Sequence, residues 1–265
     1  MYLKTIKDYE EVSHLPVIAV IPMPGYSKGL FMRDQFLRIR NLVRLMNHTD
    51  KCFLITSLHP GDGATTICYN LAKMFAAIGS EVIVLDLNLR RPRLHLHFGV
   101  PNTLGIINYL SGQFSLSHII QTDDYMPNLK FVPSGSLADD SSEDEEDKGP
   151  SDNPILNTFA AHLAYEKMDL GFDPSKLLGS DDMRKLLYVL VENFDLVLID
   201  SPPILDFPDA EVISSMVDAE IFVTSHNPKS VGSLDPYFFS AKRSVGRQLG
   251  IVINKYKGKI SEHDY

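Results

Sequence analysis

The sequence predicts an α/β fold, a doubly wound, mostly parallel sheet with helices on both faces. Two observations predict this class. Short apolar runs alternate with segments of helical periodicity, as expected for parallel strands joined by helices. Polar residues follow three of the runs directly, where open α/β sheets bind their ligands. The predicted strands are Cys52 to Thr56, Glu81 to Leu85, Leu129 to Val132, Leu196 to Ile199, Glu220 to Thr224 and Gly250 to Ile253.

The elements between these strands can be placed from periodicity and turn residues. Helical spacing predicts helices over Met32 to Met46 and Thr65 to Ile78, the second closed by Gly79. Leu15 to Pro22 reads as a short extended segment that ends in a turn. We therefore predict an N-terminal extension with a short strand over residues 1–30, an α/β domain over 31–260 and a tail over 261–265.

An acidic insertion at about residues 136–172 interrupts the predicted domain. Seven carboxylates lie between Asp139 and Asp147, and subtracting them from the net charge of −9 leaves about −2. Such a segment is either solvated without fixed structure or a regulatory, partner-binding arm. The near-neutral remainder argues against nucleic acid as a partner, because duplex-binding surfaces need clustered Lys and Arg.

Cysteine use and hydropathy predict the compartment. Cys52 and Cys68 fall in a strand-like and a helix-like context, which indicates buried thiols in a reducing environment. No apolar window reaches the length of about 18 residues that a membrane helix needs, and the N-terminus lacks a signal-peptide pattern. The expected location is the cytoplasm.

The first of the three polar strand ends, Ser57 to Thr66, has the position and glycines of a phosphate-binding loop. Its backbone amides and the start of the following helix would bind phosphate. Thr65 would supply a Mg²⁺ ligand, whereas Ala64 occupies the position of the motif lysine. The predicted nucleotide-binding residues of this loop are Gly61, Asp62, Gly63, Ala64, Thr65 and Thr66.

Two carboxylates are expected at the same edge of the sheet. Asp86 follows the apolar run that ends at Leu85, and Asp200 follows the run that ends at Ile199. Aspartates at these positions bind Mg²⁺ directly or through water, or orient an acceptor group. They are the predicted catalytic residues and, with Thr65, the predicted magnesium ligands.

The combined motifs resemble those of bacterial tyrosine autokinases (BY-kinases) of exopolysaccharide and capsule synthesis, whose P-loop fold is related to MinD and ParA. The similarity lies in Ser-x-x-Pro-Gly-Asp-Gly, Asp-x-Asn-Leu-Arg-Arg-Pro-x-Leu-His and Ile-Asp-Ser-Pro-Pro, and extends from about Leu15 to Lys255. In that family these motifs are Walker A, A′ and B. The resemblance therefore implies ATP or ADP with Mg²⁺ as cofactors and places Asn254 near the nucleotide base.

The resemblance also implies partners. Family members form rings of subunits, phosphorylate a tyrosine-rich tail and act with a membrane polysaccharide co-polymerase of the Wzz-like type, which would recruit the chain to the inner face of the plasma membrane. The only tyrosines after Lys255 are Tyr256 and Tyr265, which are expected to lie in a mobile tail and are the candidate phosphoacceptors. Asn88 replaces a second aspartate, and Leu37 stands at the middle arginine of the ring-forming helix motif.

Three functions follow from these features. The favoured one is a pseudokinase that regulates polysaccharide synthesis and export, because Ala64 removes the cation that bridges the phosphates. The alternative is an active tyrosine autokinase, with Arg90, Arg91 or a neighbouring subunit's arginine supplying the charge, or with Ala64 as an engineered change from lysine. The third is a ParA/MinD-like positioning ATPase, in which His59 would occupy the slot of the signature lysine.

Overall fold

The computed structural model describes residues 6–23, 25, 29–46, 49–136, 173–227, 229–234 and 246–257. The acidic insertion beyond Ser136 and the predicted tail lie outside these residues. The helices are α1 (Ile6–Ser13), α2 (Gly29–Arg44), α3 (Ala64–Ala76), α4 (Leu94–Phe98), α5 (Ile106–Leu110), α6 (Leu116–Ile119), α7 (Pro174–Leu178), α8 (Asp181–Asn193) and α9 (Asp209–Ser214). The strands are β1 (Val17–Pro22), β2 (Cys52–Ser57), β3 (Val82–Asp86), β4 (Gln121–Thr122), β5 (Leu129–Val132), β6 (Leu196–Asp200), β7 (Ala219–Ser225) and β8 (Gln248–Tyr256).

The eight strands form one sheet in the order β1-β8-β7-β2-β6-β3-β5-β4. Every pairing is parallel except the one between β4 and β5, which is antiparallel. The connection that leaves β2 leads to β3 on one side, whereas the connection that leaves its neighbour β7 leads to β8 on the other side, so the direction of the connections changes between these two strands. Ligands of open α/β sheets bind at such a switch point, and β2 is the strand that leads into the predicted phosphate-binding loop.

Both faces of the sheet are covered, which confirms the predicted fold class. Along β6, Leu196 and Leu198 pack into a cluster that includes α2 and α3, whereas Val197 and Ile199 pack into a second cluster on the other face. Because side chains alternate between the faces of a strand, a strand covered on both sides must be apolar throughout. The central strands therefore read as continuous apolar runs.

Two N-terminal elements pack onto the α/β domain, whereas the sequence predicted only an extension with a short strand there. Helix α1 has no counterpart in the prediction, and β1 pairs with β8 as an edge strand of the main sheet. Tyr9 of α1 is fully buried and packs in a third cluster with residues of β1, β7 and β8. A short helix is held by this packing more than by its own propensity.

Several predicted boundaries shift by one or two residues. Helix α3 begins at Ala64 and ends at Ala76, because the amides of Ile78 and Gly79 bond to carbonyls three residues earlier and tighten the last turn. Gly79, with φ of 90°, ends the turn as expected. Strands β3 and β6 each extend to include their aspartate, since Asp86 and Asp200 are paired across the two strands.

The thiols of Cys52 and Cys68 are both buried and free, as predicted.

Within the part of the chain that the structure describes, no helix is both long enough and apolar enough to cross a membrane.

Candidate nucleotide-binding site

The loop between β2 and α3 has the backbone conformation of a preformed phosphate cradle. Gly61 and Gly63 adopt φ values of 85° and 104°, which L residues rarely reach. Gly63 is the residue before the first turn of α3, so the free amides of this turn face the loop. The loop lies between a strand and a helix, as the sequence predicted, and the loop needs its glycines to adopt this conformation.

Asn254 holds this loop from the neighbouring end of β8. Its side chain is 8% exposed, and its Nδ2 donates to the carbonyl oxygen of Asp62 at 2.8 Å. A Cβ atom on Gly63 would lie 2.1 Å from the same Nδ2. That Asn254 lies near the nucleotide base stays a prediction, and in the structure its amide is engaged with the loop backbone. The glycine at position 63 therefore serves a close approach as well as a left-handed turn.

Asp62 ties the loop to β7. Its carboxylate is 1% exposed, and Oδ1 accepts hydrogen bonds from the hydroxyls of Ser225 and Ser230, the latter at 2.7 Å. Oδ2 accepts the amide of His59 at 3.1 Å. The side chain of Asp62 is thus directed into the protein, where it holds the loop in position.

Ala64 begins α3 with a side chain that is 6% exposed. Of the two arginines considered as substitutes for the motif lysine, Arg90 forms a bidentate ion pair with Asp209, at 2.7 and 3.0 Å. Its guanidinium also lies 4.5 Å from the ring centre of Phe207. The guanidinium of Arg90 is therefore paired with Asp209 and does not replace the charge of the motif lysine, and the sequence alone could not reveal this ion pair. Arg91 is exposed.

His59, at the position considered for a signature lysine, has a structural partner. Its Nε2 lies 2.7 Å from the Ser233 hydroxyl, in helical residues 229–234. The imidazole thus joins the loop to this helical segment.

The two predicted catalytic carboxylates lie side by side. Asp86 and Asp200 are paired residues on β3 and β6, and both are fully buried. The oxygens of Asp86 accept the amides of Asn88 at 3.2 Å and Leu94 at 3.0 Å. Neither carboxylate oxygen of Asp200 has a hydrogen-bond partner among the described residues. Sequence reasoning brought this pair to one edge, but their direct adjacency required the register of the sheet.

Burial without a counter-ion raises the pKa of both carboxyls. Desolvation raises the pKa of Asp86 to about 7, against the opposing effect of the amides that it accepts. Desolvation, followed by the charge of Asp86, raises the pKa of Asp200 well above its ordinary value. The Thr65 hydroxyl is close enough to oppose the rise, although it does not reach hydrogen-bond geometry. Two neighbouring carboxyls of this kind favour either a shared proton or a cation.

The residues present fit a magnesium ion in one respect. The unpartnered oxygens of Asp200 are hard ligands of the type that Mg²⁺ binds, and Thr65 lies beside them. The described residues hold no cluster of three or more His, Cys, Asp or Glu that could bind a metal by themselves. An ion here would therefore complete its shell with phosphate oxygens and water, as Mg²⁺ does in nucleotide sites.

Of the two candidate phosphoacceptors, only Tyr256 lies within the described residues. We expected it in a mobile tail, but it is the last residue of β8, and its side chain is 8% exposed. Its ring lies 4.8 Å from that of His226. The apolar pattern of β8 continues to this tyrosine, which explains why the strand is longer than predicted. Tyr265 lies outside the described residues.

Comparisons with known proteins agree with this fold. No family model matches the chain. The chain is 26% identical over 235 residues to the tyrosine-protein kinase YwqD of Bacillus subtilis, covering 88% of this chain and 85% of YwqD. The kinase domain of the Escherichia coli tyrosine kinase ETK superposes with a TM-score of 0.75 at 20% identity, over 98% of both chains. The cell division ATPase MinD of Pyrococcus furiosus gives 0.56 at 21% identity, over 81% of this chain and 77% of MinD.

The fold and the phosphate-binding loop define a P-loop α/β protein, related in fold to MinD. Within that class, its relatives YwqD and ETK are bacterial tyrosine-protein kinases, which the chain resembles over most of its length.

Proposed function

We propose that this chain is a BY-kinase-like pseudokinase, which regulates exopolysaccharide or capsule synthesis and export without efficient phosphoryl transfer. The observation that carries the proposal is the Ala64 methyl group at the position of the motif lysine, at the start of α3. Two further observations support it. The guanidinium of Arg90 is fixed on Asp209, and contacts of Asn254 and Asp62 hold the shape of the loop.

The retained residues can bind a nucleotide and its metal. The amides of Gly61 to Thr66 would bind the phosphate oxygens, while Thr65, Asp86 and Asp200 would hold Mg²⁺. The bound ion would neutralise phosphate charge and relieve the repulsion between the two carboxylates. The missing contact is the charged hydrogen bond of the lysine. Such a bond contributes about 1.5–3 kcal/mol, so its loss weakens binding about tenfold to a hundredfold.

Catalysis would suffer more than binding, because negative charge on the transferred group must be neutralised as the reaction proceeds. Without a cation at position 64, the loop supplies only neutral amide donors to that group. The proposed role is therefore one of binding and regulation. By the resemblance to its relatives, the partner would be a membrane polysaccharide co-polymerase at the inner face of the plasma membrane, and the chain would be cytoplasmic.

Calorimetric titration with ADP and Mg²⁺ tests the proposal, with Ala64→Lys compared with the native chain. Ala64→Met is the matched control, because it adds a side chain of similar length without a charge. We expect Ala64→Lys to tighten binding about tenfold to a hundredfold and Ala64→Met to leave it unchanged or weaker. Equal affinities for the native chain and Ala64→Lys would show that the cradle does not use a cation here.

The retained carboxylate pair favours one alternative, an active tyrosine autokinase. Two buried aspartates in register are costly to keep without a metal-dependent role. Incubating the purified chain with ATP and Mg²⁺ and measuring phosphotyrosine separates the two functions. Accumulation of phosphotyrosine that disappears in Asp86→Asn or Asp200→Asn would refute the pseudokinase.

A further inference from the structure

A cleft of about 200 Å³ opens on the β8 side of the phosphate-binding loop. Its walls come from residues 59–62 of the loop, the end of β7 with the residues after it, and the end of β8. Ala64, Thr65, Asp86 and Asp200 do not line it. The cleft is therefore separate from the edge at which the nucleotide's metal would bind, although the loop forms part of both.

The walls of the cleft are strongly cationic. The cleft is lined by three exposed lysines, Lys229, Lys255 and Lys257. The single acidic residue in its wall is Asp62, whose carboxylate accepts hydrogen bonds from two serines and the amide of His59. Three ammonium groups against one carboxylate leave an excess of about two positive charges, which matches a dianion.

Lys255 is held in position. Its backbone has a φ of 55°, a left-handed conformation that is uncommon for a residue other than glycine. Its Nζ donates to the carbonyl oxygen of Gly61 at 2.6 Å, and its amide bonds to the side-chain oxygen of Asn254 at 2.9 Å. Strained conformations of this kind cluster at binding sites. The ammonium group is thus fixed at the junction between the loop and the cleft.

Lys257 acts on the imidazole of His226. Burial lowers the pKa of His226, and the positive charge of Lys257 lowers it further. The Nδ1 of His226 lies 2.7 Å from the hydroxyl of Tyr9, which fixes the ring. The charge of Lys257 therefore acts on a residue of the cleft wall. Among the described residues, no carboxylate forms a salt bridge with Lys257.

We propose that this cleft is an anion site for a phosphate dianion, either inorganic phosphate or the phosphate of a monoester. The volume is below the range of about 300–1,000 Å³ that larger organic ligands need, and it suits a compact oxyanion. Lysine ammonium groups can donate to several phosphate oxygens at once. The site uses neither Mg²⁺ nor position 64, although Gly61 and Asp62 belong both to the cleft and to the proposed nucleotide-binding loop.

Phosphorus NMR titration of the full chain with inorganic phosphate, without Mg²⁺ and at low ionic strength, tests the site. We expect a Kd on the order of 1 mM. Lys229→Gln, Lys255→Gln and Lys257→Gln should each weaken it about twofold to fivefold. Lys185→Gln, which removes an exposed lysine of α8, is the matched control and should not change it. Phenyl phosphate, titrated in parallel, distinguishes the sources. Binding of both ligands assigns a monoester site, and binding of phosphate alone assigns a site for the free ion.

Two results would overturn the proposal. One is the absence of phosphate binding at about ten times that Kd. The other is binding that Ala64→Lys strengthens while the three glutamine variants leave it unchanged, because the phosphate would then occupy the nucleotide cradle. Proton NMR of the imidazoles gives the location independently. Phosphate should shift the resonances of His59 and His226, which line the cleft, and not those of His118 in α6.

Discussion

The pair of buried carboxyls makes a sharp prediction about stability and pH. In the folded chain, the first of the two protons is released at about pH 7, whereas an unperturbed aspartate releases it near 3.8. Between these values the unfolded chain has lost protons that the folded chain still holds. A carboxyl with a raised pKa therefore lowers the free energy of unfolding as the pH rises through this window.

The substitution Asp200→Asn removes one of the two titrating groups with little change in volume. Its new amide can donate to Asp86, the neighbour across β6 and β3. The free energy of unfolding of the variant, relative to that of the native chain, should rise by about 1.4 kcal/mol for each pH unit from pH 4. The difference should therefore be larger at pH 7 than at pH 4.5, because desolvation raises the pKa of Asp200 well above its ordinary value. A constant cost of burying the amide shifts both ends equally and leaves this gain unchanged.

Urea unfolding followed by circular dichroism, without nucleotide or Mg²⁺, measures this difference at pH 4.5, 6 and 7. Asp124→Asn, which changes an exposed aspartate, is the matched control and should give a difference that is flat with pH. A loss of stability in Asp200→Asn that is the same at every pH would refute the reasoning, because it would mean that the carboxylate of Asp200 is satisfied in the folded chain.

Three other predictions concern contacts around the site. Gly63→Ala should lower the free energy of unfolding by more than about 1 kcal/mol, because the new Cβ would clash with the side chain of Asn254. In thermal unfolding, the double variant Gly63→Ala with Asn254→Ala should lose less stability than the sum of the two single variants. Arg90→Ala should lower the free energy of unfolding in urea by about 3–5 kcal/mol, since it leaves the fully buried carboxylate of Asp209 without its counter-ion. A loss below about 1 kcal/mol would contradict the ion pair. The thiol of Cys68 should resist alkylation at pH 8 until the chain unfolds, because burial raises its pKa; rapid labelling of the folded chain would contradict this.

Much of the site could be predicted because its signals are local. A glycine-rich turn between an apolar run and a helix has few structural solutions, so Gly61, Gly63 and Thr65 could be placed from the chain alone. Aspartates at the ends of apolar runs could be assigned to one sheet edge for the same reason. The contacts that could not be predicted are those whose two residues are distant in sequence. Asn254 lies 192 residues from Asp62, its partner, and Arg90 lies 119 residues from Asp209.

Lys229, Lys255 and Lys257 were missed for a related reason. Single lysines after strands are common, and nothing in their spacing indicates that they share a cleft. The position of Tyr256 was also misjudged, because the apolar alternation of β8 continues beyond the predicted strand and a terminal tyrosine can be either buried or exposed. Only the pairing of β8 with both β1 and β7 decides which.

The class of fold, the phosphate-binding loop and the absence of lysine at position 64 could be read from the chain alone, since they depend on periodicity and on residues adjacent in the chain. The tertiary structure decided which charges are available. It placed Asp86 beside Asp200, turned Asp62 inward, fixed Arg90 on Asp209 and gathered three lysines around one cleft. The physical reason is that burial and proximity set the energy of a charge, and both are produced by contacts between segments far apart in the chain.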